Sequence, residues 1–364
     1  MGDQLKLSKC TPRQARKFII QCIEAGLVPN ILGSPGIGKS AIARGVGDDY
    51  KLHLIDERLS TADPTDMSGL PGKHRNKPDR ATFHPFDIFP LEDDKIPEGK
   101  DGWLLFLDEA NAAPRSVQAA AYKLVLDRMV GQHRLHPNVA IVMAGNLSTD
   151  RAITNPISTA MQSRLIHMEL EVSFQEWLED VALPQKYDSR IIGYLSQYES
   201  KLMDFKPDHQ DKTFCCPRTW EFVNRLLSKR EEDGSITPRP VTNEMGILLS
   251  GAITSGVATE FVQFTAVYSR LISINDIISD PKQCPVPSDL SLKWATVTHM
   301  LEKINPKNFD DLATYVDRFN DIAFKILFYR SVLVRQPGLR SHPKFGPHVA
   351  NIVKYLTETP NSKP

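Results

Sequence analysis

The sequence has no excess of charge of either sign: 44 lysines and arginines balance 44 aspartates and glutamates across 364 residues. A neutral chain has no net field to draw it to nucleic acid or to an anionic membrane, although a local patch is still allowed. Long apolar runs are also missing, and no stretch approaches the ~20 consecutive apolar residues of a membrane span. The first ten residues, MGDQLKLSKC, lack the apolar core of a secretory signal, and Lys6 stands where a myristoylation signal has serine or threonine. The five cysteines, at 10, 22, 215, 216 and 284, are odd in number and scattered, with no C-x-x-C pair and no histidine at metal-ligand spacing. These absences point to a reducing, cytoplasmic setting and exclude a cysteine or histidine metal centre. The ten histidines are scattered too; His133 and His136 flank an expected hairpin and read as solvated.

What is present is concentrated in residues 30–45, NILGSPGIGKSAIARG. Gly33, Gly38, Lys39 and Ser40 fit the spacing glycine, four residues, glycine, lysine, serine. The flanks supply the required context, since GLVPNILG reads as a buried strand and KSAIARGV as the first turns of a helix. Gly36 and Gly38 accept backbone angles closed to other residues and carry no side chain, so successive N–H groups can turn inward around a polyphosphate. The helix adds the positive end of its dipole. Gly33, Pro35, Gly36, Ile37, Gly38, Lys39, Ser40 and Ala41 are therefore expected to line a nucleotide, with Lys39 on the β- and γ-phosphates and the Ser40 hydroxyl on Mg²⁺.

The length allows two domains, each with its own core. Residues 12–25 read as an amphipathic helix, and strand candidates follow at 52–56, 102–110, 139–146 and 165–170. Helical runs separate them, among them PRSVQAAAYKLVLDRMV, with Pro114 suited to a first helical position. Continuous apolar strands alternating with helices predict a parallel sheet covered on both faces. After Glu171 strand patterns stop and helical patterns take over, including PRTWEFVNRLLSKREE from Pro217 and a run of aromatics at helical spacing, GVATEFVQFTAVYSRL, that reads as core. A boundary near 172 follows, and the proline-bearing DPKQCPVPSDL sets off residues 281–364.

A phosphate loop alone binds nucleotide; hydrolysis also needs a metal-holding carboxylate and a means of positioning water. LLFLDEAN places Asp108 at the carboxyl end of a buried strand, where open α/β sheets bind ligands. Asp108 is expected to hold Mg²⁺ and Glu109 to orient or deprotonate the attacking water. VAIVMAGN ends a strand in Asn146, whose amide can contact the γ-phosphate or the same water if its strand lies beside the loop.

Loop, Asp-Glu strand and Asn-ended strand, followed by helices, resemble an AAA+ ATPase. The segments LSTADPTDMSGLPG, GWLLFLDEANAAPRSVQAAAYKLVLDR, AGNLSTDRAITNPISTAMQSRLIHMELEV and CPRTWEFVNRLL narrow the resemblance to the MoxR-like branch, in particular its bacterial and phage members. It spans residues 12–275. The resemblance implies an α/β fold with a P-loop AAA+ core and a parallel five-stranded sheet over 1–172, an all-helical lid over 173–280 and a helical C-terminal extension over 281–364. It implies a homo-oligomeric ring, usually hexameric, with ATP and Mg²⁺ at subunit interfaces. Arg164 in MQSRLIHMEL matches the arginine finger, which reaches a neighbour's γ-phosphate, and Arg218 in PRTW matches the second sensor. The finger's setting departs from the common MoxR pattern, because TAMQSRL lacks the preceding acid; Arg151 in STDRA stands as the alternative.

The leading functional expectation is a Mg²⁺-dependent ATPase ring that remodels or activates a partner protein, in the resembled family often one with a von Willebrand A-type domain. The alternative is a nucleic-acid motor or loader of phage type, against which stand the balanced charge and the lack of a helix-turn-helix, zinc or OB signature. The basic segment GKHRNKPDRATFHPFDIFP is too long for a plain connection; in the resembled family an insert here faces the ring's centre or a partner, which implies a contact with substrate or nucleic-acid phosphate, and the alternative is a solvated loop. A binding scaffold that hydrolyses little is a third class, and the intact Lys39, Asp108, Glu109 and Asn146 argue against it.

Overall fold

The computed structural model describes residues 8–150, 155–233, 235–350 and 352–357. They divide into two compact units, one reaching Val172 and the other beginning at Ser173, with residues 206–209 grouped with the first. In the first unit the chain runs through β1 (Lys9–Cys10), α1 (Pro12–Glu24), β2 (Val28–Leu32), α2 (Lys39–Asp49), β3 (Leu52–Arg58), α3 (Pro64–Ser68), β4 (Leu70–His74) and β5 (Lys77–His84). It continues through β6 (Gly102–Asp108), α4 (Arg115–Asp127), β7 (Met129–Val130), β8 (His133–Arg134), β9 (Val139–Gly145), α5 (Thr159–Gln162) and β10 (Leu165–Leu170).

Thr11 starts α1 with a capping box closed by Gln14, and Pro12 sits at the first turn, where its missing N–H costs nothing. The main sheet has the order β1-β10-β2-β9-β6-β3, and every pairing in it is parallel. It has six strands rather than the expected five, because Lys9–Cys10 pairs with Glu169–Leu170 at one edge. A two-residue strand is too short to show periodicity in sequence.

β6 is buried along its whole length because both sheet faces are covered. Its alternate residues face opposite layers. Leu104 and Phe106 join Val142 and Ala144 of β9 against Ile19 of α1 and Val46 of α2. Leu105 and Leu107 join Ile141 and Met143 against Val117, Ala121 and Leu124 of α4. Full burial of each large apolar side chain stabilises the fold by ~1.5–3 kcal/mol. Pro114 precedes α4 as its N-cap, with ψ 148°, so the helix starts one residue later than expected.

The basic segment after α3 is neither a loop nor a plain connection. Leu70–His74 and Lys77–His84 form an antiparallel hairpin with an irregularity between Lys73 and His74. Its base is tied to the small β7–β8 hairpin: Thr82 Oγ1 donates to Gln132 Oε1 at 3.0 Å, and His133 Nε2 donates to the Phe83 carbonyl at 3.0 Å. Gly131 makes this approach possible. Its φ is +57°, and a Cβ there would run into the Ser68 carbonyl oxygen.

The second unit is mainly helical, with its longest helices at Ser255–Ala266, Leu290–Lys303 and Ile322–Arg335. Strands do not cease entirely after Glu171, contrary to the sequence reading: the helix from Pro217 ends at Leu227, and Ser228–Arg230 pairs antiparallel with Ile236–Pro238. Ser228 already has extended backbone angles, and the Ser235 N–H binds Asp233 Oδ1 at 2.8 Å in the turn, so local turn chemistry overrides the helix-forming Lys-Arg-Glu-Glu run. Phe261 and Phe264 are buried with their ring centroids 5.4 and 5.6 Å from that of Tyr194. Residues beyond 281 share this core, as Tyr268 Oη bonds both the Ser189 carbonyl (3.1 Å) and Thr298 Oγ1 (3.0 Å). Among the described residues no helix is long and apolar enough to cross a membrane.

Candidate functional site

The strand order puts β9 between β2 and β6, so the segments that follow these three strands meet at one edge of the sheet. Leu32 lies opposite Gly145, and Met143 opposite Leu107. The loop after β2, Asn146 after β9 and Asp108 closing β6 are thereby brought level at the carboxyl ends of the strands.

Gly36 and Gly38 take φ values of +76° and +107°, and Gly38 is the N-cap of α2. Nothing lies within 4 Å of a Cβ built on Gly38, so the backbone angle rather than space demands glycine there. Lys39 is 8% exposed, and its Nζ donates to the carbonyls of Gly33 (2.6 Å) and Ser34 (3.3 Å) and to Asn146 Oδ1 (3.1 Å). Ser40 Oγ donates to Asp108 Oδ2 at 3.0 Å, and the Glu109 N–H to Asp108 Oδ1 at 2.8 Å. Lys39, Ser40, Asp108 and Asn146, distant in sequence, are thus joined around the loop. Pro35 is half-buried, Ile37 is buried, and Ala41 is exposed on the first turn of α2.

A hydroxyl and a carboxylate side by side are the hard oxygen donors that Mg²⁺ takes. The residues present therefore fit Mg²⁺ at Ser40 and Asp108.

Glu109 has φ +54° and is turned toward the end of β3. Ser60 Oγ donates to its Oε2, and Arg58 Nε lies 3.6 Å from its Oε1. The ion pair is largely exposed, so it is worth only about 0–1 kcal/mol, a hold that a substrate-induced change can release. Ser60 and Arg58 carry no signal in the sequence. Only the pairing of β3 with β6, which sets Arg58 opposite Asp108, brings them to Glu109.

Asn111 is a further residue without a sequence signal. Its Nδ2 donates to the Asn146 carbonyl at 2.7 Å, and its Oδ1 accepts from the Asn146 N–H at 3.0 Å. It fixes the turn that aims the Asn146 amide at Lys39. Gly145 leaves room for it, since a Cβ on Gly145 would sit 2.6 Å from Asn111 Oδ1 and 2.9 Å from its Cγ. Gly145→Ala is expected to destabilise the fold by about 1–3 kcal/mol, as overpacking does, and to lower hydrolysis more than nucleotide binding. Urea melts and phosphate-release rates check this; unchanged stability and rate would show that Asn111 does not position Asn146.

The arginines are placed differently. Arg164, between α5 and β10, is exposed; its Nη1 donates to the Ala160 carbonyl at 3.3 Å, and it makes no bond to the loop among the described residues. Arg151 lies outside the described residues. Arg218 is exposed in the first turn of the helix Pro217–Leu227, in the second unit.

No protein-family model matches the chain, and no curated protein matches it. Solved structures give faint similarity. A candidate ATPase from Cytophaga hutchinsonii is 13% identical, with 87% of this chain and 79% of that chain covered and a TM-score of 0.34. The RuvB Holliday junction branch migration motor of Thermotoga maritima is 12% identical, covering 74% and 76% at a TM-score of 0.34. NtrX from Brucella abortus, solved with ADP, is 14% identical, covering 94% and 65% at 0.33. At such values these proteins assign nothing to this chain.

Proposed function

We propose that the chain is a Mg²⁺-dependent ATPase of the AAA+ type, in its MoxR-like branch, that acts as a ring to remodel or activate a partner protein. The observation that carries the ATPase reading is the bonded set Lys39, Asn146, Ser40 and Asp108 at the carboxyl ends of three adjacent strands. The loop N–H groups and the α2 dipole hold the phosphates, and Lys39 neutralises the β- and γ-phosphates. When bound, Mg²⁺ supplies further positive charge to the phosphate oxygens. Asn146 orients water or the γ-phosphate. Glu109, freed from Ser60 and Arg58, takes the proton of the water as its oxygen bonds to the γ-phosphorus and the bond to the β-phosphate oxygen breaks. Arg164, or Arg151, acts on a neighbouring subunit's nucleotide, and Arg218 serves as the second sensor. The partner is a protein, for which a von Willebrand A-type domain is the candidate.

The second reading, a nucleic-acid motor or loader, draws on the β4–β5 hairpin. Lys73, Arg75, Lys77 and Arg80 are exposed there and in no ion pair among the described residues. A ring repeats these cations in every subunit, so they could line a positive channel, but the chain as a whole is neutral and carries no helix-turn-helix, zinc or OB signature. Single- and double-stranded DNA are therefore expected to leave the ATPase rate nearly unchanged, whereas a remodelled protein alters it by binding the ATP-loaded and ADP-loaded forms unequally. Rates measured with DNA, before and after changing these four residues to alanine, decide between the readings. Strong stimulation that vanishes in the quadruple variant would establish the nucleic-acid motor.

A further inference from the structure

Asn30 is a polar residue in the middle of a buried strand. It is 1% exposed in β2, the strand that runs on into the phosphate loop. In the register of β10 with β2 it faces His167, beside a facing pair, Leu165 and Val28, that packs in the apolar core against α4. Asn30 Nδ2 donates to His167 Nδ1 at 3.0 Å, while Asn30 Oδ1 is enclosed and has no hydrogen-bond partner among the described residues. A buried acceptor left unbonded is costly, and an apolar pair at these two positions would avoid the cost. Packing alone does not call for this pair.

The far side of the imidazole accounts for it. His167 Nε2 donates to the Gln162 carbonyl at 3.0 Å. A carbonyl only accepts, so the ring proton sits on Nε2, and Nδ1 is left to take the bond from Asn30. Gln162 is the last residue of α5, where helix carbonyls have no partner within the helix, and only Ser163 and Arg164 separate it from β10. The Arg164 N–H binds the Met161 carbonyl at 3.0 Å, so the backbone of this link is held from both sides. Asn30, His167 and Gln162 thus form a line of hydrogen bonds from the strand that leads into the loop to the turn that presents Arg164.

We propose that His167 is a positioning residue for Arg164: it fixes the turn that presents the guanidinium and, through Asn30, ties that turn to the strand bearing the subunit's own phosphate loop. An arginine that acts across an interface must arrive in a set geometry, and a displacement of ~1 Å costs up to about 10²-fold in rate. His167 acts through Arg164 and not on the nucleotide itself. The role rests on the reading above that Arg164 serves a neighbouring subunit's nucleotide.

The test measures ATP affinity and phosphate release for the full chain as wild type, His167→Asn and His167→Gln, each alone and mixed with Lys39→Ala chains. An asparagine amide reaches where Nδ1 stands but falls short of the Gln162 carbonyl; a glutamine amide reaches where Nε2 stands. His167→Asn is expected to bind ATP as the wild type does, which also shows that it is folded, and to lose roughly 10- to 100-fold in turnover. His167→Gln is expected to recover most of that loss. Mixing His167→Asn with Lys39→Ala chains is expected to restore part of the activity, because the first keep an intact loop and the second an intact Arg164 turn. A defect in the variant's own loop or fold would not be restored in this way. Normal turnover by His167→Asn, an equal loss in His167→Gln, or a loss that mixing leaves in place would overturn the inference while leaving Arg164 in its role. Full activity of Arg164→Ala would remove that role and the inference together.

Discussion

Glu109→Gln is expected to bind ATP about as well as the wild type and to hydrolyse it at least ~10²-fold more slowly, whereas Lys39→Ala is expected to lose nucleotide binding altogether. The two differ because they remove different kinds of interaction. A general base acts only as the water is deprotonated, a contribution of about 10²–10⁴-fold, so its loss leaves ground-state binding intact. Lys39 meets charge that is already present on the phosphates. It is also the donor shared by the Gly33 and Ser34 carbonyls and Asn146 Oδ1, so its truncation loosens the loop as well. Glutamine still accepts the bond from Ser60 but no longer pairs with Arg58. A fluorescent nucleotide titration beside a phosphate-release assay separates the two variants, and full turnover by Glu109→Gln would sink the assignment of that residue.

The second large effect concerns catalysis across a subunit interface. Arg164→Ala is expected to bind ATP nearly normally and to lose on the order of 10³-fold or more in hydrolysis, the range an arginine finger supplies. Such a loss belongs to the transition state alone. Its exposure, and its single bond among the described residues, to the Ala160 carbonyl, leave the guanidinium available to another subunit. Mixing Arg164→Ala with Lys39→Ala chains should restore part of the activity, because some interfaces then pair an intact loop with an intact arginine. If Arg164→Ala is fully active and Arg151→Ala is dead, the two arginines exchange roles. If neither mixing nor either substitution matters, hydrolysis does not run across an interface.

The parts of the site that are local in the chain are legible in the amino-acid sequence. Gly33 through Ser40 are expected to act through backbone angles and a helix start, and Asp108 ends, and Glu109 follows, an unmistakable apolar strand. The position of Asn146 beside the loop depends on strand order, which no local pattern encodes, and β9 between β2 and β6 places it there. Ser60, Arg58 and Asn111 leave no trace in the sequence because each acts through a neighbour brought in by sheet pairing or by a turn. In the fold, β1 is too short to be periodic, and the hairpin at residues 228–238 is masked by helix-forming charged residues. The basic β4–β5 segment stands out by charge and length, but its pairing shows only in the register between Leu70 and His84.

Phosphate release from ATP by the purified full-length wild-type chain, with Mg²⁺ and then with the metal chelated, tests the central claim most directly. Hydrolysis that depends on Mg²⁺ and disappears on chelation is the predicted result, because Ser40 and Asp108 offer oxygen donors only and Lys39 alone leaves much of the phosphate charge unbalanced. No phosphate release above the level of the Lys39→Ala chain, with the protein folded and Mg²⁺ present, would contradict it.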